Sequence, residues 1–146
     1  MKSASFLIVF CILVCLLPML LLKVPETVPE ISGTISVYNH LTGDVFEMNL
    51  EEYTARCMAS EMPASFHKEA LKAQAVAIRS YTLSKKPSDE HKGATVCTDF
   101  NHCAAFLQNE AELLPIYSQA VKETENQVLI FEGEFANSVF HAMSSG

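Results

Sequence analysis

The chain has 146 residues, which is enough for one domain and short for two. Its formal net charge is −7 at pH 7, with 17 acidic residues against 10 basic ones. Proteins that bind nucleic acid usually present a basic surface, so this balance argues against a nucleic-acid partner.

The N-terminus predicts a membrane segment. Residues 6–22 form an apolar run without a charge, about the length of a helix that crosses a bilayer core, although Pro18 lies within it. No small-x-small cleavage pattern follows, so we expect an uncleaved signal anchor over residues 1–23. A short basic start favours export, which predicts a single-pass protein of the cell membrane with an extracytoplasmic domain. A cytoplasmic domain tethered to the membrane is the alternative.

The next segments predict a linker and a hairpin. Residues 24–30 contain two prolines and read as a short, stiff linker. Ile31–Tyr38 alternates apolar and small polar residues, as a half-buried strand does, and a turn at residues 42–44 leads into a second strand, Val45–Leu50.

Two helices are predicted after the hairpin. The first is Glu51–Ala59, because Pro63 prevents a helix from continuing through Met62. The second is Phe66–Ser84, with Ser65 as its N-cap. Small and apolar residues cover most of its perimeter, so we expect a buried central helix on which antiparallel strands pack. Residues 31–146 are thus predicted to form one mixed α+β domain.

Glu61 lies between these helices, among small and apolar residues. A partly desolvated carboxyl group holds its proton to higher pH and can act as a general acid. Met58, Met62, Pro63 and Phe66 are the neighbours expected to exclude water from it. A solvated loop acid is the alternative.

Polar residues on the second helix are candidates for a binding site. Gln74 and Tyr81 share a face at i, i+7, and Arg79 lies on an adjoining one. A buried guanidinium needs an anionic partner, which the Glu61 region or a bound substrate could supply. The alternatives are that Arg79 reaches solvent from the helix end and that Gln74 and Tyr81 belong to a buried structural network.

Four potential metal ligands lie within thirteen residues: His91, Cys97, His102 and Cys103. Nitrogen and sulfur ligands suit a tetrahedral zinc ion, and a site filled by four protein ligands would be structural. Both His102 and Cys103 can reach one ion only if the backbone bends there. A Cys97–Cys103 disulfide is the alternative outside the cytoplasm.

The remaining residues predict a helix and a second hairpin. Ala104–Glu125 reads as helical, and a strand, a turn at Gly133 and another strand follow from Gln127. The chain ends at Gly146, shortly after that hairpin, so we expect part of the domain to be missing at the C-terminus.

Three features resemble the family of the stage II sporulation protein D and LytB-like proteins of endospore-forming bacteria. They are the string LEEYTARCMASEMPASFHKEALKAQAVAIRSYT (Leu50–Thr82), the His/Cys cluster, and the ending FHAMSSG. Together they span most of the chain after the linker. One departure concerns the pair His102–Cys103, which alanines follow here where the family commonly has glutamine.

The resemblance implies a membrane-anchored lytic transglycosylase that cleaves peptidoglycan glycan strands between N-acetylmuramic acid and N-acetylglucosamine during engulfment. It implies that Glu61 is the catalytic acid, that Gln74, Arg79 and Tyr81 bind glycan or orient Glu61, and that the cluster binds zinc. The implied partners are denuded glycan strands and the stage II sporulation proteins M and P. Two alternatives are a LytB-like enhancer of an amidase and a zinc-stabilised wall-binding module.

Overall fold

The computed structural model describes residues 29–140, together with Ile12 and Val14. Apart from Ile12 and Val14, the anchor predicted over residues 1–23 lies outside the described residues, as does most of the linker. Among the residues that are described, no helix is both long enough and apolar enough to cross a membrane.

A three-stranded sheet stands at the start of the domain. Strands β1 (Thr34–Tyr38) and β2 (Val45–Asn49) pair antiparallel, which confirms the predicted hairpin. A third strand, β3 (Val96–Cys97), is not predicted by the sequence pattern and pairs parallel with the other edge of β1. Ile35 and Val37 of β1 point into the core, as the alternating pattern requires.

Helix α1 follows β2 directly and is longer than predicted, spanning Leu50–Glu61. The side chain of Asn49 caps its N-terminus by accepting two backbone amides, and the Met62 amide closes the other end on the Met58 carbonyl at 2.9 Å. All six residues of Tyr53–Met58 are buried. Because such a run covers every face of a helix, α1 is the most enclosed of the three described α-helices.

Helix α2 spans Lys68–Ser84 and begins later than the sequence predicted. The expected N-cap, Ser65, is wrong, because His67 Nδ1 instead accepts the Glu69 amide at 3.3 Å. The first two turns are partly exposed, with Ala73 facing solvent, and the second half is buried. The prediction of a buried central helix thus holds for half of α2, and α1 shares that role.

The long helix predicted over Ala104–Glu125 is wrong over its first half. The only α-helix in that range is α3 (Pro115–Glu123). The segment before it runs along α1, where the Leu107 amide donates to the Arg56 carbonyl at 3.2 Å. In addition, a residue that precedes proline disfavours helical geometry, so Leu114 is held extended.

The predicted second hairpin is present and very short, formed by β4 (Ile130–Phe131) and β5 (Glu134–Phe135). Its two turn residues, Glu132 and Gly133, have φ of 52° and 83°. Positive φ at both central positions is the geometry that matches the twist of a two-residue hairpin. Two single turns of 3₁₀ helix complete the described elements, at Asp89–His91 and Glu110–Glu112.

An ion pair between the fully buried Arg79 and the half-buried Glu51 ties the three helices together. The Arg79 guanidinium has no exposed area and forms two hydrogen bonds with the Glu51 carboxylate, of which the one from Nε is 2.9 Å long. It also donates to the backbone carbonyls of Val121 and Gln127, at 3.3 and 3.0 Å. The Arg79 side chain, in α2, therefore connects this helix to the start of α1 and to the end of α3.

Removing the charge of Glu51 should destabilise this arrangement strongly. We expect Glu51→Gln to lower the free energy of unfolding by about 3 kcal/mol, since it leaves a buried guanidinium without its counter-ion. Urea unfolding of the full chain measures the change. The matched control is Glu69→Gln in the exposed pair with Lys72, where the loss should stay below about 0.5 kcal/mol. Equal losses in the two variants would contradict the structural role given to Arg79.

Candidate functional site

Glu61 is the last residue of α1, and two contacts fix its position. One of its carboxylate oxygens accepts the Ala105 backbone amide at 3.0 Å. The next residue along the chain, Met62, offers its carbonyl to the hydroxyl of Tyr117, a buried residue of α3, at 2.7 Å. The Glu61 side chain itself is half-buried. The carboxylate is therefore held in place and still accessible from one side.

A cavity of about 340 Å³ opens beside this carboxylate, within the range of roughly 300–1,000 Å³ that suits small ligands. Of the described residues around it, Glu61 is the only one with a carboxylate side chain. The predicted apolar neighbours Pro63 and Phe66 are exposed. The cavity is instead lined, besides Glu61, by Tyr81, Phe100, Cys103, Ala105, Val139 and Phe140.

The three predicted binding residues of α2 have different surroundings. Tyr81 lies in the cavity wall with Glu61, packs edge-on against Phe140, and has its pKa raised by burial. Arg79 has the anionic partner that a buried guanidinium needs, but this partner is Glu51 and not the expected Glu61 region, and the side chain does not reach solvent. Gln74 is half-buried and is not among the residues that line the cavity. The structure thus brings only Tyr81 to the carboxylate.

The four predicted metal ligands come together. The ligand atoms of His91, Cys97, His102 and Cys103 all lie within 4.8 Å of one another. His102 Nδ1 is 3.8 Å from Cys97 Sγ and 3.5 Å from Cys103 Sγ, and His91 Nε2 is 3.6 Å from Cys103 Sγ. These three separations are close to the roughly 3.3–3.8 Å between the ligands of a tetrahedral zinc-sized ion. His91 Nε2 and His102 Nδ1 are closer, at a hydrogen-bond distance of 2.9 Å, and would have to separate slightly around an ion.

Backbone geometry explains how such closely spaced residues converge. β3 places Cys97 beside Tyr38 of β1. The Asp99 carbonyl then accepts the amides of both His102 and Cys103, at 3.1 and 2.9 Å. This tight turn is the bend that two adjacent ligands require.

The surroundings of the cluster favour the protonation states that ligands need at the two histidines and oppose them at Cys103. The Glu90 carboxylate lies 3.1 Å from His102 Nε2, so it can hold the proton there and leave Nδ1, which is 2.9 Å from His91 Nε2, without a proton and able to bind a metal. Burial, with the neighbouring His102, lowers the pKa of His91 and keeps its imidazole neutral. Burial raises the pKa of Cys103 to about 12, so a cation must displace its proton.

The donor set, its spacing and its orientation therefore fit one tetrahedral metal ion. Cys97 and Cys103 are free thiols, which agrees with the ligand role and not with the alternative disulfide. The residues present could hold a metal, and all four positions would then be filled by protein, as in a structural site.

The cluster and Glu61 are parts of one site. Cys103 both belongs to the cluster and lines the cavity, and Ala105, two residues later, donates to the Glu61 carboxylate. A metal ion bound at Cys103 would therefore hold the short backbone segment that fixes Glu61.

Sequence reasoning missed several residues of the cavity. Phe100, Val139 and Phe140 were not singled out, and Ala105 was noted only as a departure from the family pattern. A phenylalanine in a polar loop between metal ligands was a usable signal for Phe100. The role of Ala105 rests on its backbone amide, which no side-chain pattern reveals. Residues 141–146, which belong to the ending that carries part of the family resemblance, lie outside the described residues.

Comparison with known proteins shows the family of this chain. A family model described as Stage II sporulation protein matches residues 38–131, which include α1, α2 and the whole His/Cys cluster. The chain belongs to the stage II sporulation protein D family, whose members are linked to sporulation.

Two Bacillus relatives carry the same name. The chain is 31% identical over 139 residues to "Stage II sporulation protein D" of Bacillus subtilis (strain 168), covering 85% of this chain and 40% of that protein. It is 29% identical over 135 residues to the protein of the same name from Bacillus amyloliquefaciens, covering 82% of this chain and 39% of the relative. The chain thus spans about 40% of the length of these relatives.

The geometry of the cluster predicts one metal ion per chain. Titration of the metal-free full chain with Co²⁺ should give thiolate-to-metal absorption that saturates at one equivalent, with an affinity that falls as the pH is lowered because thiols must lose protons. Glu90→Gln should weaken binding by about 10- to 100-fold, since it removes the partner that orients His102. Cys57→Ala is the control, because Cys57 is buried outside the cluster. An unchanged affinity in Glu90→Gln, or loss of the ion in Cys57→Ala, would contradict this assignment.

Proposed function

We propose that this chain is a lytic transglycosylase of peptidoglycan, with Glu61 as its single acid/base group. The observation that supports this most is one carboxylate, fixed by a backbone amide, in a cavity whose other described walls are apolar or weakly polar. Glycoside hydrolases normally need a second carboxylate as nucleophile or base. Membership of a sporulation family adds weight to a substrate in the cell wall.

A single carboxyl group can complete this reaction in two steps. Protonated Glu61 gives its proton to the glycosidic oxygen as the bond between C1 of N-acetylmuramic acid and that oxygen breaks. The resulting carboxylate then takes the proton of the C6 hydroxyl of the same sugar as that oxygen bonds to C1. Glu61 ends protonated again, no water is consumed, and a 1,6-anhydro end forms.

The chain's own groups prepare Glu61 for both steps. The Ala105 amide stabilises the carboxylate form that exists between them and fixes one oxygen, which leaves the other free for the substrate. Tyr81 and Phe140 form an apolar wall that limits water beside the reacting atoms.

In this proposal the His/Cys cluster holds zinc as a structural ion. His91, Cys97, His102 and Cys103 would be its four ligands. When bound, zinc would supply rigidity to the cavity wall and no open coordination position for catalysis.

The setting of the reaction is also part of the proposal. We infer a single-pass protein of the cell membrane, anchored through residues 1–23, with its catalytic domain outside the cytoplasm. Its substrate would be denuded glycan during engulfment, and its partners would be the stage II sporulation proteins M and P. The acidic balance of the chain fits this better than a nucleic-acid role.

Product analysis with a Glu61 variant tests this function. The full chain, incubated with denuded glycan strands, should release fragments that end in 1,6-anhydro-N-acetylmuramic acid, which mass spectrometry detects as products lighter by one water than hydrolytic ones. Glu61→Gln should slow their release by at least about 100-fold, because it removes the proton that is transferred. Glu47→Gln, at an exposed position of β2, should react like the unchanged chain.

Three outcomes would contradict the proposal. Hydrated reducing ends would indicate a hydrolase. Undiminished anhydro ends from Glu61→Gln would place the acid elsewhere. No product from the chain alone, with acceleration of a partner amidase, would indicate the enhancer role.

A further inference from the structure

Phe100 is an exposed aromatic residue at the mouth of the Glu61 cavity. Its side chain is 71% exposed and yet lines the same cavity as the carboxylate. Full burial of a phenylalanine side chain is favourable by about 1.5–3 kcal/mol. The exposed Phe100 ring does not gain most of that stabilisation within the fold.

The loop that carries Phe100 is held on both sides. The preceding residue, Asp99, accepts the Asn101 amide on its side chain at 2.9 Å and two further amides on its carbonyl. Ligands of the His/Cys cluster stand before and after it, at Cys97 and His102. The ring is therefore presented from a constrained turn, which lowers the entropy cost of using it in binding.

We propose that Phe100 is a stacking platform for one sugar ring of the glycan, next to the bond that Glu61 cleaves. This rests on the proposed function, since it names a contact for that substrate. A pyranose ring carries C–H groups on its faces and hydroxyl groups on its edge. An aromatic ring can cover such a face while the hydroxyl groups stay in water, and Val139, 75% exposed, extends the same apolar wall.

The surroundings favour a sugar over a protein partner. The centre of a protein interface is depleted of charged residues and is usually broad. Here the exposed apolar residues border a concave site with a carboxylate inside it. A sugar ring has apolar faces that can contact the apolar residues and hydroxyl groups that can contact the carboxylate.

Affinity for a defined oligosaccharide tests the platform. The probe is a soluble tetrasaccharide of alternating N-acetylglucosamine and N-acetylmuramic acid, titrated into the full chain carrying Glu61→Gln so that cleavage is blocked. Adding Phe100→Ala should weaken binding roughly tenfold, as loss of one aromatic stacking contact does. Phe100→Tyr should keep the affinity within about twofold, because the ring is retained.

The control is Phe131→Ala in the same background. Phe131 is 68% exposed on the β4–β5 hairpin and does not line the Glu61 cavity, so its loss should leave the affinity unchanged. The platform is overturned if Phe100→Ala binds as tightly as its parent, or if Phe131→Ala weakens binding equally. It is also overturned if no chain binds the probe, or if Phe100→Ala acts only by dissociating a dimer or a protein complex.

These outcomes separate the platform from the proposed function. Binding that depends on Phe100, combined with no anhydro product from the chain with Glu61 intact, would retain the platform and reject the transglycosylase. Anhydro product from the chain with Glu61 intact, combined with an affinity that Phe100→Ala leaves unchanged, would retain the transglycosylase and reject the platform.

Discussion

One backbone hydrogen bond, from the Ala105 amide to the Glu61 carboxylate, joins the two halves of the site. On one side of it, α1 delivers Glu61 at its last residue. On the other side, Cys103 fixes the backbone two residues before Ala105 and belongs to the His/Cys cluster. A loose amide would leave the carboxylate free to change rotamer, and catalytic groups lose much of their effect when displaced by about 1 Å. The position of the proposed acid therefore depends on the cluster as well as on its own helix.

The other end of α1 is fixed independently. Glu51 pairs with the buried guanidinium of Arg79, which also binds the carbonyls at the end of α3 and beyond it. Because a helix transmits a displacement along its length, anchoring its first turn limits the movement of Glu61 at its last. The motif from Glu61 to Tyr81 thus combines two duties: Tyr81 forms the cavity wall, and Arg79 supports the helix that carries the acid.

Much of this could be predicted from sequence, and the failures share physical causes. The hairpin, the end of α1 before Pro63 and the ligand set followed from local patterns and chemistry. The helical composition of Ala104–Glu125 was misleading, because its first part uses its amides on Glu61 and the Arg56 carbonyl instead of its own carbonyls. Likewise, Arg79 has a partner 28 residues away in the chain, which side-chain pattern alone cannot identify. Tertiary hydrogen bonds overrode local preference in both places.

The link between the cluster and the acid is the central claim, and amide hydrogen exchange at Ala105 tests it most directly. We predict that adding one equivalent of Zn²⁺ to the metal-free full chain slows exchange of the Ala105 amide at least about tenfold and leaves the amides paired between β1 and β2 unchanged. In Glu61→Ala, which lacks the acceptor, the same addition should protect Ala105 much less. The claim would be contradicted if Zn²⁺ left the exchange rate of the Ala105 amide unchanged. It would also be contradicted if Zn²⁺ protected this amide equally with and without the Glu61 carboxylate.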